Sequence, residues 1–310
     1  MSSVVKRRKG DCGSALERLT SVVICPDSDV RNRHPRDVRI VFEDEGHVYK
    51  LDVNTSQEQL FPISVSGLWG MYFDKFNAAE TIQKYYDMWA VDPRSKYYEM
   101  IEAGRAAGQC DVQIHQSIRL TWEWKGLLAS AAGTRMHKQF ELALRGCLYD
   151  SHCVESRVFL DFLSTWLEPR FWSVYRLEWS IYCEHPMVAG QIDALFQCGS
   201  EFHMIDWKRC CKVLDPDEGM QWGRYGAPPL DGLLDNACNH YFMQQNLYAV
   251  ILQKCYSIDI QSMHLVQIHP SLPTFKVVEV PDLRGLAAAI LEARDGSERD
   301  LRIHEKMGGA

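Results

Sequence analysis

At 310 residues and 35.7 kDa the chain is long enough to bury one large core, with room for a smaller appendage. Its 46% apolar and 24% charged content excludes a low-complexity or intrinsically disordered chain. The formal net charge of −7 excludes a globally basic nucleic-acid binder, so any groove for nucleic acid has to be local.

Eleven cysteines are an odd number, and no Cys-x-x-Cys pair is present. With no signal-like leader and no transmembrane run, reduced thiols in a soluble, intracellular protein are the expectation, with no membrane association. Residues 1–36 read as a flexible basic segment. Its Lys6-Arg7-Arg8-Lys9 cluster reads either as a solvated terminus or as a nuclear import signal or phosphate-contacting arm. Arg31, Arg33, His34 and Arg36 form a second basic cluster.

Residues 37–112 form an N-terminal hairpin and helical accessory region. Val38–Phe42 and His47–Leu51, separated by Glu43-Asp44-Glu45-Gly46, predict a β-hairpin. Ser64 or Ser66 is placed to cap a short helix. Phe76, Ala79, Ile82, Tyr86 and Trp89 mark one face of a helix over 76–90. Gly104 and Gly108 argue against a helix in the stretch that follows.

A core is expected over 113–295, with a flexible tail over 296–310. Two helices, 114–129 and 134–148, come first, the second with a stripe of Met136, Phe140, Leu144 and Leu148. A third helix, 154–167, stops before Pro169, and a long strand runs from Phe171 to Cys183. Two strands then fill 186–208, a Gly-, Pro- and Asp-rich loop covers 215–235, and a helix spans Asn236–Tyr256. Strands at Met263–Ile268 and Phe275–Val280 and a helix at Asp282–Ala293 close the chain. Helices, three strands, a helix, strands and a helix make an α/β fold with a central mixed β-sheet flanked by helices and a helical N-terminal portion.

The chemistry concentrates in 186–208. Asp193 and Asp206 sit in apolar strands, and Lys208, two residues beyond Asp206, shares its side of an extended chain. Ionised groups in that setting are costly unless paired, so two carboxylates and an ammonium point to a divalent metal site. His137 and Glu141 lie one turn apart on the second of the two helices, and Gln244 and Tyr248 one turn apart on the helix after the strands. Taken singly, His137 reads equally as a satisfied helix histidine, and Gln244 and Tyr248 as ordinary helix surface and core.

Together these signals resemble the PD-(D/E)xK nuclease superfamily, in the branch of the RecB nuclease domain and Cas4-like exonucleases. The matching elements are His137 on a first helix, Gly190-Gln191-Ile192-Asp193, Asp206-Trp207-Lys208, and Gln244-x-x-x-Tyr248, all within 133–256. The resemblance implies a restriction-endonuclease-like core and Mg²⁺ or Mn²⁺ held by His137, Asp193, Asp206 and the Trp207 carbonyl. It implies Lys208 as catalytic lysine, with Glu141, Glu178, Gln244 and Tyr248 in supporting active-site positions.

Hard oxygen ligands suit such a cation, and an imidazole ligand favours tolerance of Mn²⁺. Phosphodiester hydrolysis of DNA, as an exonuclease on ends or single strands, is the implied activity. Arg209, Lys212, Trp222, Arg224 and Tyr225 are candidates to contact the strand by charge and stacking. No cysteine follows Cys255, so the iron–sulfur cluster of some relatives is not expected. No Gly-x-x-x-x-Gly-Lys-Ser/Thr is present, so unwinding would fall to a helicase or another replication or recombination partner. Rival readings are a structure-specific endonuclease, an inactive nucleic-acid-binding module, and a hydrolase of small phosphate esters.

Overall fold

The computed structural model describes residues 24–43, 45–52 and 59–308. The chain divides into two compact units, one formed by residues up to Phe73 and from Met136 onward, the other by Asp74–Arg135. The basic cluster Lys6–Lys9 lies outside the described residues.

The first unit is built on a six-stranded mixed sheet. Strands β5 (Ser173–Cys183), β6 (Val188–Cys198) and β7 (Glu201–Lys208) form an antiparallel meander. β8 (Ile260–Gln267) lies parallel to β7, and β9 (Lys276–Glu279) lies antiparallel to β8. A parallel neighbour requires a crossover, here made by the long helix Ala237–Tyr256. The two-residue β4 (Ile63–Ser64) runs parallel to the start of β6. A separate small sheet holds β1 (Ile40–Glu43), β2 (Val48–Asp52) and β3 (Gln59–Leu60), the first two forming the expected hairpin.

Helices cover both faces of the sheet. In chain order, the first unit's helices are α1 (Ser28–Arg31) and α2 (Val65–Trp69), capped by Ser64 Oγ accepting from the Gly67 N–H at 2.9 Å. α3 (Ala78–Val91) and α4 (Tyr98–Ala106) belong to the second unit. α5 (Asp111–Leu144), α6 (Val154–Phe162), α7 (Ala237–Tyr256) and α8 (Arg284–Gly308) follow. One face packs Trp179, Ile192, Leu195 and Leu265 against α7 and α8. The other packs Leu177, Phe196 and Trp207 against α6 and the C-terminal turns of α5. Trp207 is fully buried there, its ring edge-on to Phe140, Phe159 and Phe162 at 5.7, 5.2 and 5.7 Å. Truncating an aromatic in such a setting costs about 3–5 kcal/mol, so this cluster fixes the β7 backbone firmly against α5.

Several local expectations are corrected. The two helices expected over 114–129 and 134–148 are one continuous helix, α5. The linking Ser130-Ala131-Ala132-Gly133 holds good helix formers, and its lone glycine costs only about 1 kcal/mol. The helix ends at Gly146, whose φ of +68° supplies a left-handed stop, so Leu148 lies beyond it and is exposed rather than part of the stripe. α4 forms despite Gly104, because a Cβ there would meet Ile114 at 2.8 Å and the glycine permits that close packing. α8 continues to Gly308 where a loose tail is expected from 296. The expected division near 112 falls at the start of α5, whereas the second unit runs from Asp74 to Arg135.

Residues 24–36, read as part of a flexible segment, are held by specific contacts. Asn32 Nδ2 donates to the Tyr175 carbonyl at 2.9 Å, and the Arg36 guanidinium lies over the Tyr182 ring at 4.0 Å. The second unit has its own core of Ile82, Tyr86, Ala90, Tyr97, Ile101, Ile114 and Ile118. Ile82 and Tyr86 face inward as their spacing predicts, but Phe76 precedes α3 and is exposed.

Candidate metal centre

The site is made by two strands that part. β7 runs beside β6 from the Cys198–Glu201 pair to the Ala194–Ile205 pair. β4 then takes the same strand at Val188 and Ala189. Over Gly190–Asp193 the edge of β6 carries neither pairing. Into this gap the Trp207 N–H, next along β7, donates to Asp193 Oδ2 at 2.8 Å. Gly190 leaves space for the ring of Tyr248: a Cβ there would lie 2.4 Å from Tyr248 Cε1 and 3.1 Å from Val65. The glycine of the Gly-x-x-Asp run thus admits α7 close to the sheet.

The alternation of the strands resets at this point. Leu177 and Ala194 pack on the α5–α6 face, whereas Trp179 and Ile192 pack on the α7 face. Both pairs are cross-strand neighbours, so β5 and β6 shift phase together at Glu178 and Asp193. Glu178 has a φ of +46°, an uncommon conformation for a residue other than glycine, and strain of this kind gathers at functional sites.

His137 completes the group from α5. Its Nε2 donates to the Trp207 carbonyl at 2.9 Å, and its Nδ1 lies 3.4 Å from Asp193 Oδ2. Ligand atoms of His137, Glu178 and Asp193 all lie within 4.8 Å of one another, which makes the three able to hold a metal ion. Burial and the charge of Asp193 push Glu178 up to about 8. Burial disfavours the His137 imidazolium, but the Asp193 carboxylate outweighs it and raises His137 to about 9. Asp193, although half-buried, is held below the usual carboxylate range by His137 and Lys208.

Asp206 and Lys208 sit beside this group, with Lys208 Nζ 2.6 Å from Asp206 Oδ2. Burial raises Asp206 to about 6 despite that partner. Burial opposes the Lys208 charge, but Asp206 and Asp193 keep its pKa above the usual lysine value, so it stays an ammonium. Lys208 also donates to Gln244 Oε1 at 3.3 Å and stands over the Tyr241 ring at 4.3 Å. Gln244 Nε2 donates in turn to Tyr248 Oη at 2.9 Å. The pairing of Gln244 and Tyr248 across one helical turn therefore serves to orient Lys208. Gln245, which the sequence pattern does not single out, donates from Nε2 to Asp206 Oδ1 at 3.1 Å and is buried. Its only sequence signal is its place in the polar run Gln244-Gln245-Asn246, flanked by apolar residues.

The remaining candidates are placed elsewhere. Glu141 bonds to Lys138 at 2.7 Å and to Arg145 at 2.9 Å, outside the His137–Glu178–Asp193 group. Arg209 pairs with Glu155 at 2.9 Å, Lys212 with Glu218, and Arg224 with Asp235 at 3.3 Å. Each of these cations is thus matched by an acid. Trp222 and Tyr225 are exposed, and Trp222 borders a recess of about 240 Å³ with Cys210, Lys212, Asn236 and Cys238. Gly219 and Gly223, at φ of +86° and +59°, bracket the short 3-10 turn that presents Trp222.

The donor set fits a divalent cation. Three carboxylates, the half-buried Glu178 and Asp193 and the buried Asp206, face one ammonium and one imidazole, and burial first of all raises Glu178 and Asp206. No described helix is long and apolar enough to cross a membrane.

No protein-family model matches the chain, and no curated protein does. A solved structure titled "Crystal structure of SSO0001" is 18% identical, over 34% of this chain and 39% of that one, with a TM-score of 0.20. The match thus spans about two fifths of that structure's length, and a likeness of this size carries no argument about fold or activity.

Proposed function

We propose that the chain is a divalent-metal-dependent deoxyribonuclease of the PD-(D/E)xK type, hydrolysing DNA phosphodiester bonds from ends or single strands. The observation that carries this reading is the juxtaposition, where β6 and β7 part, of His137, Glu178 and Asp193 with the Asp206–Lys208 pair. Clustered carboxylates with raised values in a strained strand setting suit a site for Mg²⁺ or Mn²⁺.

His137, Asp193, Asp206 and the Trp207 carbonyl, with Glu178 beside them, would hold the ion. A bound cation there supplies Lewis-acid stabilisation of the phosphate and activation of water. Lys208, kept charged by Asp206 and Asp193, is placed to stabilise the negative charge that develops on the phosphorus oxygens. Its raised pKa makes it a poor general base. Gln244, backed by Tyr248, fixes the ammonium in position. The exposed Trp222 offers a stacking face to an unpaired base.

Incubation with linear, covalently closed circular and single-stranded DNA, and with RNA, tests the reading. Metal-dependent loss of linear or single-stranded DNA with closed circles intact supports it. Equal cutting of circles overturns the exonuclease form, and product lengths on an end-labelled strand then identify an endonuclease. Binding without cleavage of any substrate identifies a nucleic-acid-binding module.

A further inference from the structure

Two adjacent glutamines on α7 grip the two ends of one ion pair. Gln244 accepts from Lys208, and Gln245 donates to Asp206. We propose that Gln245 is a positioning residue for the metal site, its amide fixing the Asp206 carboxylate so that Oδ2 alone is presented to Lys208 and to a bound cation. The inference rests on reading the site as metal-binding and extends it to a residue outside the family pattern.

Three observations carry it. Asp206 is buried at the point where β7 leaves β6, and its Oδ1 is occupied by the Gln245 donor. Oδ2 is turned to Lys208 at 2.6 Å. Gln245 Oε1, also buried, has no hydrogen-bond partner among the described residues. A buried amide with one unsatisfied end destabilises the fold, so a side chain serving packing alone would be better apolar. What the amide adds is a neutral donor. It orients the carboxylate without cancelling the charge that a cation needs, as arginine or lysine would, and asparagine is one methylene shorter.

The test compares wild type, Gln245→Met and Asp206→Asn by Mn²⁺ titration calorimetry, with thermal melts in EDTA. Gln245→Met keeps length and burial while removing the donor. It leaves the buried Asp206 Oδ1 without that donor, so it is expected to melt below wild type in EDTA and, while folded, to bind Mn²⁺ about tenfold more weakly or worse. Wild-type Mn²⁺ affinity in Gln245→Met, together with loss of binding in Asp206→Asn, overturns the role of Gln245 and leaves the metal site standing. Unchanged affinity in Asp206→Asn overturns the reading of the site itself. If Gln245→Met fails to fold, the side-chain amide resonance of Gln245 in the wild-type protein decides. Saturating Mg²⁺ is expected to shift it, and an unmoved resonance overturns the proposal.

Discussion

The Trp207 N–H donates to Asp193 Oδ2 at 2.8 Å, joining two strands whose backbone pairing has already ended at Ala194 and Ile205. A side chain thereby takes the place of the missing ladder bond. The same residue's carbonyl accepts from His137, while its indole is locked between Phe140, Phe159 and Phe162. Packing on one face of the sheet thus sets the geometry of the acidic group at the point where the strands part.

Burial of the Glu178 carboxylate has a cost that can be measured. Glu178 is raised in the folded state to about 8 from an ordinary value of 4.5. The folded protein therefore binds its proton more tightly than the unfolded chain, and stability falls as pH rises from 4.5 to 8. Glu178→Gln removes that slope. In EDTA at pH 8 it is expected to gain on the order of 1–3 kcal/mol by urea denaturation, with little gain at pH 4.5. An equal change at both pH values contradicts the assignment.

Metal affinity follows the same protons. Glu178 near 8, His137 near 9 and Asp206 near 6 must all lose protons to serve as ligands. Mn²⁺ binding by calorimetry is expected to tighten steadily from pH 6 to pH 8.5 and to release protons into the buffer. Mn²⁺ is expected to bind at least as well as Mg²⁺, given the imidazole. At a hundredfold excess over Kd the ion adds about 2.7 kcal/mol to stability. Affinity that does not change with pH would falsify this ligand set.

The outline of this arrangement is legible in the sequence, and its details are not. Asp193, Asp206 and Lys208 stand out because charged residues interrupt apolar strands, and His137 because it shares a helix with a regular stripe. The mixed sheet follows from the order of elements. The phase shift at Glu178 and Asp193 escapes a period-two reading, since a residue at positive φ breaks the alternation that the reading assumes. Gln245 escapes because its partner, Asp206, is 39 residues away in the chain. The ion pairs of Arg209, Lys212 and Arg224 likewise depend on tertiary neighbours that spacing does not reveal.

Gly190 is a steric requirement. A methyl group there meets Tyr248 at 2.4 Å, and Tyr248 is buried against the sheet. Gly190→Ala is expected to lose about 1–3 kcal/mol of stability and to weaken Mn²⁺ binding as α7 moves away. A pair of Gly190→Ala with Tyr248→Leu should recover part of the stability. A melting temperature equal to wild type in the single variant argues against the close approach.

Acid sensitivity below neutrality is expected from a different place. His264 is lowered to about 4, first by burial and then by Arg170 and His203. It lies against Trp166 at 5.1 Å. Its unfolded value of 6.5 is the higher, so the unfolded chain takes up the proton first and stability is lost as pH falls from 6.5 to 4. The loss from this residue amounts to at most about 3 kcal/mol. His264→Phe is expected to flatten that part of the stability curve, which denaturation at pH 7 and pH 4.5 would show.

The most direct measurement is cleavage of end-labelled linear DNA by wild type and Lys208→Ala in Mg²⁺, in Mn²⁺ and in EDTA. Wild type is expected to degrade the strand only with metal. Lys208→Ala is expected to keep its circular dichroism and DNA binding while losing cleavage by a factor of about 10²–10³. Cleavage by Lys208→Ala at the wild-type rate, or by wild type in EDTA, contradicts the proposed centre.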